Sequence, residues 1–169
     1  MFGVVRQNAK ELGAELSSTV NSVDRAEHTA TVDQIIDAKS LPSMPQLSGL
    51  WMSMVEQIQA SSELSKSQIA FINGEGNTQS VDAYRLGSIG LVTDQGYVSW
   101  NTQREDAIAY LKQPSNGPTL ASLSSLANGD VSNVVVDPSR GFMLEQLALT
   151  PSLTDRLQAG GVVLSLIHI

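Results

Sequence analysis

The stretch Ile89–Trp100 constrains the fold most, because it consists of two short apolar runs around the turn residues Asp94-Gln95-Gly96. Branched and aromatic residues such as Val92 and Tyr97 favour extended strands. Gly96 supplies the positive φ that a tight hairpin turn requires. The stretch therefore predicts a β-hairpin.

Further strand-like segments lie on both sides of this hairpin and are joined to it by short turns. The predicted strands are Ser67–Ile72, Thr78–Leu86, Ile89–Thr93, Tyr97–Asn101 and Ala107–Leu111. Short connections between successive strands favour antiparallel pairing. The sequence therefore predicts an α+β fold, with an antiparallel β-meander of about five strands flanked by helices. A helical conformation for Ala107–Leu111 is an open alternative, and Val131–Val136 is predicted as one more short strand that is central in the sheet or covered.

The strongest helical pattern covers Pro45–Glu63, which begins after Ser43 with a proline in its first turn. Its apolar residues recur at helical spacing: Leu47, Leu50, Trp51, Met54, Val55 and Ile58. We expect this helix to cover one face of the sheet, with Trp51 in the core. The alternative is that Trp51 is a binding hot spot for a partner.

Residues 1–23 form a separate amphipathic segment. Its apolar stripe is narrow and repeats every three or four residues: Val5, Ala9, Leu12, Leu16, Val20 and Val23. Such a stripe is typical of the end of a coiled coil, or of an ordinary surface helix. Thr31 is then expected to cap a short helix, Val32–Lys39, that buries Val32, Ile35 and Ile36.

The chain after the sheet is predicted to return to helices. Thr119 is expected to cap a helix that Asn128-Gly129 ends. A turn at Asp137–Gly141 then precedes two short helices, Phe142–Leu149 and Ser152–Gln158.

Composition narrows the range of functions. The chain has 169 residues and a net charge of −7, which disfavours nucleic acid as a partner. No two of the ten basic residues are adjacent, so the sequence has no polybasic membrane patch. The absence of cysteine excludes thiolate catalysis and disulfides.

Both ends suggest a fragment of a longer protein, since residue 1 opens inside an apparent helix and no signal peptide precedes it. The sequence predicts an α+β domain over residues 24–159. Residues 160–169 are then either the truncated start of a membrane segment or a non-native tail, and Leu164–Ile169 resembles translated vector sequence. A natural apolar tail is the alternative.

Few residues suggest chemistry. His28 has no histidine or cysteine at ligand spacing, so no zinc site is expected. Gly74-Glu75-Gly76 lacks the remaining residues of a phosphate-binding loop. Asp137 precedes Pro138 and is interpreted as a turn cap rather than a catalytic acid. Acidic residues that lie on or near turns leave a paired-carboxylate site open: Glu75, Asp82, Asp94, Glu105 and Asp106.

A family resemblance rests on motifs that occur in a fixed order along the chain. They are Phe2-Gly3-Val4-Val5-Arg6-Gln7, Leu41-Pro42 before Leu50-Trp51, Leu91-Val92-Thr93-Asp94, Asp137-Pro138-Ser139-Arg140-Gly141, and Leu153-Thr154-Asp155-Arg156 ahead of Gly160-Gly161. In these motifs the chain resembles the long, ExbB-like (TtpC-type) members of the MotA/TolQ/ExbB proton channel family, whose periplasmic region contains a coiled coil and a small α+β domain.

The resemblance implies a non-catalytic periplasmic docking or regulatory domain of an inner-membrane protein in a Gram-negative bacterium. Such proteins energise TonB-dependent outer-membrane transport, especially of iron complexes. The implied partners are ExbD-like and TonB-like components, and oligomers are expected to form only through membrane helices that follow Gly160-Gly161. No catalytic, cofactor-binding or metal-binding residue is carried over. Two alternatives remain: a free-standing soluble module with a pocket between Pro45–Glu63 and the sheet, and a hydrolase with an acidic site.

Overall fold

The computed structural model describes residues 2–25, 27 and 29–151, and the fold over this range is α+β. The helices are α1 (Phe2–Ser18), α2 (Thr29–Asp37), α3 (Met44–Ser61), α4 (Leu120–Ala127) and α5 (Phe142–Leu149), with a 3-10 turn at Val20–Val23. The strands are β1 (Leu64–Ile72), β2 (Thr78–Leu86), β3 (Gly90–Thr93), β4 (Gly96–Asn101) and β5 (Asp106–Ala109). His28, the predicted helix Ser152–Gln158 and the residues from Gly160 onward lie outside the described range.

The five strands form a closed barrel in sequence order. Neighbours along the chain pair antiparallel, while β1 and β5 pair in parallel, with Phe71 opposite Ala107. The prediction of a wholly antiparallel sheet is therefore wrong, and the sheet is mixed. The reason is geometric: when an odd number of strands alternate in direction, the first and last run the same way, so closure gives one parallel pair.

The hairpin predicted at the centre of the chain is confirmed as β3–β4, with Thr93 paired to Gly96 across Asp94-Gln95. Gly96 has a φ of +86°, a conformation that favours glycine. Gln113 extends the pairing, because its side chain accepts from the backbone N–H of Tyr97 at 2.9 Å and donates to the carbonyl of Tyr97 at 2.9 Å.

The barrel interior is apolar and receives residues from the 3-10 turn as well as from the strands. Its buried members are Ile69, Phe71, Ala83, Leu91, Val98 and Ala107. Val20 and Val23 pack against this cluster. The apolar residues of the segment 1–23 therefore pack in two places. The first four lie among the helices, and the last two valines lie against the barrel core. The helix itself ends earlier than the stripe suggests, at Ser18.

A second core lies between α1, α2 and α3. It consists of Ala9, Leu16, Val32, Ile35 and Leu50. The predicted burial of Val32 and Ile35 is confirmed. Thr31 lies inside α2, which begins at Thr29, so its predicted role as the N-cap is wrong.

The third cluster forms on the outer surface of the barrel, beneath α4 and α5. Its buried residues are Tyr84, Val92, Tyr97, Leu123 and Leu144. The capping of α4 by Thr119 is confirmed, since the Thr119 hydroxyl accepts from the backbone N–H of Ser122 at 3.1 Å. Asn128 and Gly129 end α4 as the sequence predicts.

The predicted strand Val131–Val136 is wrong, because this segment is irregular. Its backbone bonds instead to residues that are distant along the chain: the Val135 N–H donates to the carbonyl of Asn116 at 3.0 Å, and the Val135 carbonyl accepts from the Tyr97 hydroxyl at 2.9 Å. Ala107–Leu111 contains a strand, β5, rather than the alternative helix.

Candidate functional site

An apolar stripe runs along the surface of α3 and is formed by Met44, Leu47, Trp51, Val55 and Ile58. Met44, Trp51 and Ile58 are 74%, 65% and 71% exposed, while Leu47 and Val55 are half-buried. Counted from Trp51, the other members of the stripe lie four or seven residues away, and this spacing places all five on one face of the helix. We call this surface the α3 stripe.

The exposure of Trp51 corrects the prediction that it belongs to the core. The helix was also expected to cover the sheet, and this is wrong: α3 packs chiefly on α2. Its buried side is lined by small residues, with Ser53 and Ala60 buried beside Leu50. At Gly49, an added Cβ would lie 2.6 Å from Thr31 Cγ2. Small residues allow α2 to approach closely, so the large apolar side chains face outward.

The start of α3 is fixed by a capping box. The Ser43 hydroxyl accepts from the backbone N–H of Gln46 at 3.5 Å, and the Gln46 side chain accepts from the Ser43 N–H at 2.9 Å. Pro45 lies in the first turn, where its missing N–H costs no hydrogen bond. These contacts define where the stripe begins, at Met44.

The end of α3 is joined to the barrel by Arg85 of β2, whose side chain is 0% exposed. Its Nη1 donates to the carbonyls of Ala60 and Gly87 at 2.6 and 2.9 Å. Its Nε and Nη2 donate to the two carboxylate oxygens of Asp24 at 2.8 and 3.1 Å. We call this group the Arg85 joint. It connects helix, 3-10 turn and sheet, so the orientation of α3 relative to the barrel is well determined.

A surface ion pair supports the joint. Arg25 donates to Glu63 at 2.6 Å, and this hydrogen bond raises the pKa of Arg25. Ser65 donates to Asp24 at 2.5 Å. The charges in this region therefore hold the fold together, with Arg85 facing Asp24 and Arg25 facing Glu63.

Asp137 caps the turn at Asp137–Gly141, as its position before Pro138 predicts, and its carboxylate also accepts from the first turn of α5. Its carboxylate accepts from the backbone N–H and hydroxyl of Ser139 at 2.8 and 2.5 Å, and from the N–H groups of Gly141 and Leu144 at 3.1 and 3.4 Å. Burial alone would raise the pKa of Asp137, but these hydrogen bonds outweigh it and the pKa lies below its usual value. A carboxylate held in this way is a weak general base.

A small cavity lies beside Asp137, between the barrel and α5. It has a volume of about 150 Å³, and its lining includes Tyr97, Trp100, Tyr110 and Leu144. Burial raises the pKa of both tyrosines, so they are neutral at physiological pH. The volume is below the roughly 300–1,000 Å³ of ordinary ligand pockets. This is also a different place from the expected pocket between α3 and the sheet.

The five acidic residues considered for a paired-carboxylate site have separate surroundings. Asp82 forms an ion pair with Lys66 at 2.7 Å, and Asp106 forms one with Arg104 at 2.9 Å. The remaining three are exposed: Glu75, Asp94 and Glu105. Among the described residues, no three His, Cys, Asp or Glu side chains gather as a metal site requires.

Sequence reasoning missed the Arg85 joint. Its signal is a single basic residue inside the apolar end of β2, between Tyr84 and Leu86. An arginine at such a position must find several acceptors when it is buried. The sequence does not show where those acceptors come from, because Asp24 is distant along the chain.

Within the part of the chain that the structure covers, no helix has the length and apolar character needed to cross a membrane. No protein-family model, curated protein or solved structure matches the chain.

Proposed function

We propose that this domain is a non-catalytic docking or regulatory module, and that the α3 stripe is the surface through which it binds other proteins. The observation that carries the proposal is the exposure of Trp51 at the centre of the stripe. Tryptophan is enriched among the residues that dominate binding energy. A row of large apolar side chains facing water is typical of an interaction site.

The shape of the stripe favours a helix as the docked element. Helix-in-groove recognition uses apolar anchors at separations of three, four and seven residues, and the α3 stripe has anchors at four and seven. The Arg85 joint supports this role, because its hydrogen bond to Ala60 ties the end of α3 to the barrel and fixes how the stripe is presented.

The biological setting follows from the family resemblance. We propose that the domain lies in the periplasm, as part of an ExbB-like inner-membrane proton-channel component that energises TonB-dependent uptake of iron complexes. ExbD-like and TonB-like components are the proposed partners. The motifs at Leu91–Asp94 and Asp137–Gly141 form the β3–β4 hairpin and the cap of α5, so these two motifs occupy structurally demanding turns.

The coiled-coil hypothesis for residues 1–23 belongs to the same proposal. Ala9 and Leu16 of α1 are buried in the helical core, while Val4 near its start is exposed. We propose that α1 is the end of a coiled coil that docks on the domain from Val5 onward, with Ala9 and Leu16 buried. Amide hydrogen exchange that is faster in α1, from Arg6 onward, than in the β3–β4 hairpin supports this. Protection equal to that of the hairpin contradicts it.

The test of function uses the intact membrane protein and a matched pair of substitutions. Trp51→Lys places a charge in the α3 stripe, and Gln34→Lys adds the same charge at an exposed position of α2. Energy-dependent uptake of an iron complex is expected to fall at least about tenfold with Trp51→Lys, the effect of losing one strong contact. It is expected to stay near wild type with Gln34→Lys. Normal uptake with Trp51→Lys, at normal protein levels, rejects the docking role of the stripe.

A further inference from the structure

The α3 stripe is symmetric about Trp51. Met44 and Ile58 lie seven residues to either side of it, and Leu47 and Val55 lie four residues to either side. A two-fold axis through Trp51 would therefore place Met44 of one copy against Ile58 of another, and Leu47 against Val55. Each of these contacts pairs apolar with apolar.

We propose that a second copy of this chain occupies the α3 stripe, with the two α3 helices antiparallel and the two Trp51 side chains at the axis. The inference rests on the proposed docking role and names the occupant of that surface. An interface of this kind is self-complementary, since one patch serves both subunits. Antiparallel helix pairs bury apolar seams with this four- and seven-residue spacing.

Charge permits this arrangement despite the net charge of −7. Glu56 is the one charged residue in α3. It is half-buried, and it is close enough to Arg25 to raise the pKa of that side chain. The stripe itself is uncharged, so two copies can meet along it without opposing like charges. A strongly basic partner, by contrast, would find no acidic residue in the stripe to recognise.

The area of the α3 stripe limits the expected affinity of the dimer. A helix of 18 residues is about 27 Å long and about 10 Å wide. It therefore offers roughly 300 Å² per copy, against the roughly 800 Å² per partner of a stable complex. The dimer is consequently weak in dilute solution. Copies held on one membrane have a higher effective concentration, and the same contact is then populated.

Self-association has a regulatory consequence. A docking helix from another component and a second copy would bind the same stripe, so the two contacts exclude each other. Docking would then require the pair to separate, which couples partner binding to the arrangement of the copies.

The first test is sedimentation of the 169-residue chain from about 10 μM to about 1 mM, a range suited to weak association. The chain is expected to shift from monomer to dimer across this range. Trp51→Lys is expected to weaken association about thirtyfold or more, and Gln34→Lys to leave it unchanged. A chain that stays monomeric throughout overturns the inference. Loss of uptake with Trp51→Lys would still support docking to another protein.

The second test fixes the orientation of the pair and uses the absence of native cysteine. Antiparallel packing brings residue 44 of one copy near residue 58 of the other, so a mixture of Met44→Cys and Ile58→Cys is expected to form the mixed disulfide. Neither variant alone is expected to cross-link, because identical positions lie about 21 Å apart, beyond the ~6 Å Cα separation of a disulfide. Ala121→Cys, exposed on α4, is the control that should not cross-link with either.

Each remaining outcome has a clear meaning. Cross-linking of Met44→Cys with itself indicates parallel helices and overturns the proposed geometry. A monomeric Ile58→Cys that resists maleimide indicates that another part of the same chain covers the stripe, and this also overturns the inference. A dimer with the expected cross-link, together with normal uptake by Trp51→Lys, supports the inference and rejects the proposed function instead.

Discussion

The barrel and α3 differ in where their large apolar residues lie. In the barrel, residues such as Leu91 and Val98 point inward and are almost fully buried. In α3, the buried side combines Leu50 with the small residues Ser53 and Ala60, whereas Met44, Trp51 and Ile58 face water. The interior residues of the barrel therefore serve its stability. The outer face of α3 carries residues that contribute little to the stability of the isolated chain.

The Arg85 joint and the α3 stripe also differ in polarity. Arg85 joins α3 to the barrel, and its side chain forms hydrogen bonds to other residues of the domain. The α3 stripe consists of apolar side chains, which form no comparable hydrogen bonds within the described part of the domain. Substitutions at the joint and in the barrel are therefore expected to change stability, whereas substitutions in the stripe are expected to change binding.

The largest loss of stability is expected for Arg85→Ala. This change leaves the Asp24 carboxylate, 18% exposed, without its cation and removes the donor to the carbonyls of Ala60 and Gly87. Breaking one side of a buried pair costs about 3–5 kcal/mol. Urea denaturation measures the change. Arg104→Ala, which removes an ion pair at a 58% exposed side chain, is the control and is expected to cost under about 1 kcal/mol.

The barrel core is expected to be nearly as sensitive. Leu91→Ala removes a fully buried side chain from the centre of the barrel and is expected to cost about 2–5 kcal/mol. Leu111→Ala, at an exposed leucine just after β5, is the matched control and is expected to change stability by under about 0.5 kcal/mol. Equal effects at the two positions, measured by denaturation, would show that the barrel is not the stable core.

The cap of α5 is expected to have an intermediate effect and a pH signature. Asp137→Asn removes acceptor capacity facing the N–H groups of Gly141 and Leu144 and is expected to cost about 1–2 kcal/mol at pH 7. The folded pKa of Asp137 lies below the ordinary 3.8. Its contribution is therefore complete above about pH 4 and is lost as the pH falls through the folded pKa.

Stability curves against pH test this sign. The difference between the wild type and Asp137→Asn is expected to be constant from pH 5 to 7 and to shrink below about pH 4. A difference that grows on acidification would mean that the Asp137 carboxylate is not stabilised by the fold.

The parts that the sequence predicted well depend on local signals. The β3–β4 hairpin follows from alternating residues and Gly96, and the α4 cap follows from Thr119. Each signal lies within a few residues of its effect. The strand bounds of β2 are predicted without error for the same reason.

The parts that were wrong depend on distant contacts. Barrel closure is decided by pairing of β1 with β5, which no local pattern reveals. Val131–Val136 has valines typical of a strand but is irregular, and Val135 bonds to the carbonyl of Asn116 and to the Tyr97 hydroxyl. Trp51 was placed in the core because large apolar residues are usually buried, whereas close approach of Thr31 to Gly49 selects the side of α3 with small residues.

The smallest expected effect concerns Trp51, and it bears on the α3 stripe most directly. Denaturation of Trp51→Ala at low protein concentration is expected to show a loss of under about 1 kcal/mol, because Trp51 is 65% exposed. Leu50→Ala, one residue earlier and buried in the helical core, is the control and is expected to lose about 2–5 kcal/mol. A loss of about 3–5 kcal/mol for Trp51→Ala, the cost of truncating a core tryptophan, would contradict the exposed stripe and with it the docking surface.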